Sequence, residues 1–144
     1  MTELAGHFEG DTHVLALRIY YEDTDFSGAV YHANYLKFCE RGRSDCLRLL
    51  GVHHHELSGQ ASFVVRRMVC EFVKPASIDD LLRVETRLVT LLGARMDLAQ
   101  KVRRGTETLF EAEVTAALVD GKGRPKRIPP AIVVALSAHA KIGQ

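Results

Sequence analysis

The sequence predicts an α+β fold in which a curved antiparallel sheet wraps around one long central helix. Two observations lead there. The stretch from Ala33 to Leu50 sets Tyr35, Phe38, Cys39, Cys46, Leu49 and Leu50 at helical spacing, with Gly42 in the same stripe, where a missing side chain lets a helix approach a sheet closely. Such a helix is ~27 Å long at 1.5 Å per residue and needs a broad apolar surface to cover its stripe. The remaining chain offers that surface as segments of alternating apolar and polar residues joined by glycine turns. These exceed the ~5–6 residues of an average strand, so the sheet they form must twist and curl.

A chain of 144 residues is normally one domain with a real core, and residues 1–144 are read as a single domain. Lys and Arg number 19 against 18 Asp and Glu, with no long run of one sign, which argues against nucleic acid or an anionic membrane surface as the main partner. Met1 to Gly10 has neither a basic leader nor an apolar core, and no later segment is long and apolar enough to span a bilayer, so a cytoplasmic protein is expected. The cysteines agree. Cys39 and Cys46 are separated by about 10 Å of helical rise, beyond the ~7 Å Cα limit for a disulfide. With Cys70 a lone thiol in a strand, all three read as small apolar residues in a reducing compartment.

In chain order, His13 to Tyr21 alternates, with Leu15, Leu17 and Ile19 on one face, and reads as the first strand. A loop follows, then the long helix. Its other face carries Lys37, Glu40, Arg41, Arg43, Asp45 and Arg48, with Arg41–Asp45 and Glu40–Arg43 at pairing distance and Gly51 as C-cap. Phe63 to Lys74 is a strand ended by Pro75. Leu81 to Leu92 alternates, with Leu82, Val84, Leu88 and Leu92 on one face. Gly93-Ala94 then turns into Arg95 to Arg104, and Gly105-Thr106 into Glu107 to Asp120, an antiparallel meander. Pro129-Pro130 starts a short helix through Ala131 to His139, apolar along Ile132, Val133, Val134 and Leu136, which packs on its own sheet or on a second subunit.

The chemistry belongs in the loop ahead of the long helix, Tyr21 to Tyr35. A helix N-terminus leaves backbone N–H groups without intrahelical partners at the positive end of its dipole, so Val30, Tyr31 and His32 are candidate donors to a substrate oxyanion. Gly28 accepts positive φ and lets a substrate approach the backbone. Asp25 stands just upstream as a base or nucleophile, although from spacing alone a turn or N-cap role fits it at least as well. Ser27 beside Asp25 and His32 invites a triad, but three suitable residue types do not establish an ordered nucleophile, base and orienter. Adjacent residues point different ways, so His53-His54-His55-Glu56 reads as a solvated helix exit and no metal site is expected. Arg66 and Arg67 are either exposed charges or contacts to substrate phosphates or to the loop.

The run Tyr20-Tyr21-Glu22-Asp23-Thr24-Asp25, then Gly28, Val30 to Phe38 and Glu40-Arg41, resembles the hotdog-fold acyl-CoA thioesterases of the 4-hydroxybenzoyl-CoA thioesterase type, most of all their tol-pal-associated branch. The likeness continues through Phe63 to Met68, Lys74-Pro75-Ala76 and Asp79 to Leu82, and covers roughly residues 13 to 128. One departure stands out: the family more often has small residues after the aspartate, where Phe26 and Ser27 stand here.

The resemblance implies a hotdog fold and hydrolysis of acyl-CoA or acyl carrier protein thioesters without metal or redox cofactor. It makes Asp25 catalytic, and His32 too, chiefly through its backbone N–H on the thioester carbonyl, with the imidazole a secondary orienting group. Gly28, Val30 and Tyr31 become substrate-binding, and Arg66 joins them on the reading of it as a contact to substrate phosphates or to the loop. A homodimer or homotetramer is implied, the acyl pocket lying at the subunit interface. Two other classes remain open. A hotdog dehydratase would act on 3-hydroxyacyl thioesters without releasing thiol, and a non-catalytic acyl-thioester scaffold would tolerate loss of Asp25.

Overall fold

The computed structural model describes residues 5–52 and 61–138. Six strands form one antiparallel sheet: β1 (His7–Glu9), β2 (Thr12–Arg18), β3 (Ala61–Phe72), β4 (Leu81–Leu92), β5 (Arg95–Arg104) and β6 (Glu107–Asp120). Their spatial order is β1-β2-β4-β5-β6-β3. Helix α1 spans Asn34–Leu49 and helix α2 spans Pro130–Ser137. Glycine turns define β4, β5 and β6 at the expected bounds. β2 ends earlier than its alternation suggested, because the chain leaves the sheet for a 3-10 turn at Tyr21–Asp23. β1 was not anticipated; it has only three residues, too few to show a period.

Although β3 precedes β4 in the chain, it lies at the far edge beside β6, because β2 occupies the free side of β4. β4 carries a register shift between Leu88 and Thr90. Beyond such a bulge the side-chain alternation changes phase. Leu82, Val84 and Leu88 are therefore buried as expected, whereas Leu92 is 68% exposed.

Helix α1 packs on β2, β4 and β5. Tyr35, Phe38, Cys39, Gly42, Cys46 and Leu50 are buried, as the stripe predicted, but Leu49 is exposed and Leu47 takes an inward place. Neither ion pair expected on the polar face forms. Asp45 is instead buried, its Oδ2 accepting from His13 Nε2 of β2 and from the Gly6 N–H, each at 2.7 Å. Arg43 turns toward the sheet and donates to Gln100 Oε1 at 3.0 Å. Gln100 is buried and donates through Nε2 to Cys39 O and Thr86 Oγ1, both at 2.9 Å. These polar links tie the helix to the sheet beside its apolar stripe.

α1 meets the β6–β3 half of the sheet through Tyr35, against Phe110 of β6 and Phe72 of β3, and along the free edge of β3 the side chains of Val64, Val65, Val69 and Phe72 are exposed. α2 returns Leu136 to the same core as α1, while Val134 is left 71% exposed. No described helix is long and apolar enough to cross a membrane.

Candidate active site

The loop between β2 and α1 is closed by hydrogen bonds at each step. The Asp23 side chain reaches back to the Tyr20 N–H at 2.8 Å, and Thr24 Oγ1 donates to Tyr21 O at 2.7 Å. Thr24 bridges Val30, Asp25 N–H donates to Ala29 O at 2.8 Å, and Gly28 N–H donates to Asp25 O at 3.1 Å. The result is a tight hairpin whose tip is Phe26-Ser27-Gly28. Gly28 has φ of 88° there, with open space where a Cβ would stand, which is why glycine serves the turn.

Two further anchors fix the loop to the body of the protein. Asp23 O accepts from the Tyr31 N–H at 3.0 Å and from Asn34 Nδ2 at 2.8 Å. Val30 N–H donates to Ala76 O at 2.8 Å, while the Ala76 N–H is received by the buried Tyr35 hydroxyl at 3.0 Å. Tyr35 stacks on Phe110 with centroids 5.1 Å apart and an interplanar angle of 12°. Core aromatics thus hold the loop.

These bonds correct the set of donors expected from the sequence. The N–H groups of Val30 and Tyr31 are engaged inside the protein, so neither is available to a substrate. The His32 N–H has no acceptor among the described residues and lies just ahead of α1, at the positive end of its dipole. The reason was invisible in sequence: the regular helix begins at Asn34, and the chain before it is tied to Asp23 and Ala76.

Asp25 is fully exposed, and its Oδ1 accepts two hydrogen bonds from Ser27, from Oγ at 2.6 Å and from the backbone N–H at 2.8 Å. Those bonds, the hydroxyl first, hold its carboxyl below the usual carboxylate range, with a smaller contribution from nearby His32. Asp25 is therefore ionised at neutral pH. Asp25 and the His32 N–H flank one hydrogen-bonded turn. Around it are apolar rings: the His32 imidazole lies 4.7 Å from Tyr31 and 6.0 Å, edge to face, from Phe72, both about half exposed. Phe26 at the hairpin tip is fully exposed.

Arg66 is not part of this cluster. It sits at the register shift of β3 between Val65 and Arg67, six residues from Phe72, or ~20 Å along the strand. It borders a cavity of about 420 Å³, with Arg95, Val64, Leu92 and Pro125 among the lining side chains and no carboxylate among them. Among the described residues no cluster of His, Cys, Asp or Glu is arranged to hold a metal ion. The run His53 to Glu56 lies outside the described residues.

Comparison with known proteins gives a consistent result. Residues 27–111 match the thioesterase superfamily. The acyl-CoA thioester hydrolase YbgC of Escherichia coli is 41% identical over 125 residues, covering 81% of this chain and 90% of that protein. The acyl-CoA thioesterase YbgC of Haemophilus influenzae is 41% identical over 122 residues, covering 83% and 90%. Among solved structures, a probable thioesterase from Bartonella henselae superposes with a TM-score of 0.79 at 44% identity, covering 82% of this chain and 99% of that one. The curved sheet and long helix are thus the hotdog arrangement of these thioesterases.

Proposed function

The chain belongs to the thioesterase superfamily, and from that premise we propose that it hydrolyses the thioester bond of acyl-CoA, with Asp25 as nucleophile or general base. The observation that carries the reading is that an ionised, solvent-facing Asp25 and an unengaged His32 N–H stand on either side of one hydrogen-bonded turn. The N–H receives the thioester oxygen, and negative charge developing there is met by a donor at a helix N-terminus. Asp25 then attacks the carbonyl carbon to give a mixed anhydride that water opens, or removes a proton from water as it attacks. In either route CoA leaves as a thiolate, a good leaving group that lessens the need for a strong acid. Gly28 keeps the approach open. The exposed rings of Tyr31 and Phe72 supply apolar contact for the acyl group, and the His32 ring orients beside them.

Arg66 serves the other end of the substrate in this reading. Its displacement at the bulge and the neighbouring Arg95, which is itself paired with Asp97 at 3.3 Å, suit the phosphates of a nucleotide. The free β3 edge, with its exposed Val64, Val65 and Val69, suits pairing with a second copy as a homodimer, which can double into a tetramer. We take the enzyme to act in the cytoplasm, where its unpaired cysteines stay reduced.

Thiol release from short, medium, long and aromatic acyl-CoAs tests the reading, using wild type and Asp25→Asn. Turnover by the wild type and a fall of about 10²-fold or more in the folded variant is the expected result. Equal release by both proteins would remove Asp25 from the mechanism, and no release from any acyl-CoA would remove the activity.

A further inference from the structure

At the hairpin tip the Ser27 side chain does something an alanine or glycine there could not. Backbone bonds on both sides of Asp25 fix its Cα, since its N–H donates to Ala29 O and its carbonyl accepts from Gly28 N–H. The carboxylate itself stays free to rotate about χ1 and χ2 unless something holds it. Ser27 does so twice at one atom: Oγ–H and N–H both donate to Oδ1, at 2.6 and 2.8 Å. Among the described residues Oδ2 has no partner and faces solvent.

Resting on the reading of Asp25 as the reacting carboxylate, we propose that Ser27 is the positioning residue of the reaction, clamping Oδ1 so that Oδ2 is the oxygen that meets the thioester carbon or the attacking water. The Ala29 N–H in turn donates weakly to Ser27 Oγ at 3.4 Å, which leaves the hydroxyl hydrogen for Asp25. A lone Asx turn, formed by the Ser27 N–H alone, restrains the loop in the same way whether residue 27 is Ser or Ala. The hydroxyl adds what the turn lacks, a second donor that fixes the carboxylate plane and favours its charged form. Besides Ser27, the ionisable group acting on Asp25 is His32, from the segment ahead of α1; no other charged side chain among the described residues contributes.

Ser27→Ala and Ser27→Thr, assayed with the wild type's best acyl-CoA across pH 3.5 to 8, separate this role from a structural one. In Ser27→Ala, kcat is expected to fall about 2- to 10-fold, the equivalent of one hydrogen bond. KM stays unchanged, and the acid limb of the kcat profile moves to higher pH because the carboxylate has lost a donor. Ser27→Thr keeps the hydroxyl and restores both rate and profile. A Ser27→Ala profile superimposable on wild type overturns the proposal, as does a change confined to KM, which would mean that Ser27 touches substrate instead. Failure of the underlying reading shows separately, as Asp25→Asn retaining wild-type turnover.

Discussion

Replacing Gly42 by alanine opposes two effects whose sizes can be set against each other. Gly42 lies in the middle of α1, where the helix meets β4 and β5. An added methyl would stand 2.8 Å from Val84 Cγ1, 3.0 Å from Thr86 Oγ1 and 3.4 Å from Gln100 Nε2. Alanine favours the helix by about 1 kcal/mol over glycine. Forcing volume into a packed core costs about 1–3 kcal/mol, and these neighbours cannot yield cheaply. Val84 is fully buried and stiff at χ1. Thr86 and Gln100 are bonded to each other and Gln100 to the helix, so pushing α1 outward also strains buried hydrogen bonds, at about 1–3 kcal/mol for each group left unsatisfied. The contact outweighs the propensity, and a net loss of about 2 kcal/mol is expected, or roughly 6–8 °C in Tm for a domain of this size. Thermal melts followed by far-UV circular dichroism, with urea midpoints as a second measure, read this directly. A variant as stable as wild type would show that the helix–sheet separation is not set at Gly42.

Two further outcomes follow from buried groups. His13 is fully buried, with no hydrogen-bond partner for Nδ1 among the described residues, and burial holds it below the usual histidine range even though its bond to Asp45 pulls the other way. A depressed folded pKa means that the unfolded chain takes up the proton first; stability is full above about pH 6.5 and is lost as pH falls below it. Urea unfolding at pH 7.5 and 5.5 should show a larger loss for wild type than for His13→Gln, and equal losses would refute the assignment. Burial also pushes the thiols of Cys39 and Cys46 up to about 12, so at pH 8 a disulfide reagent should label Cys70 alone and slowly, with all three labelled after denaturation. Mass spectrometry of the native adducts decides this.

Much of the fold could be read from local pattern. Gly93 and Gly105 adopt positive φ where the sequence put turns, and β4, β5 and β6 begin and end beside them. Gly51, also at positive φ, closes α1 with its N–H on Arg48 O. What escaped was set by partners distant in sequence. The strand order depends on β2 docking on β4, 69 residues later at the pair Leu15–Val84. The bulge that turns Leu92 outward leaves no mark in an alternating run. Asp45 reads as a helix surface charge until His13 is brought beside it. In the loop, Asp25, Gly28 and His32 could be named as candidates by residue type and by resemblance. That Val30 and Tyr31 donate inward could not, because their acceptors, Ala76 and Asp23, are fixed by tertiary closure.

Ala76 has an uncommon position in this design. Its carbonyl holds the Asp25 hairpin through Val30, and its N–H is held by a tyrosine embedded among Phe110, Phe72 and Phe38. One residue therefore couples the aromatic interior to the hairpin that carries Asp25. A change among those rings is expected to be felt at the hairpin through Ala76, so packing that faces no substrate would still bear on the candidate site.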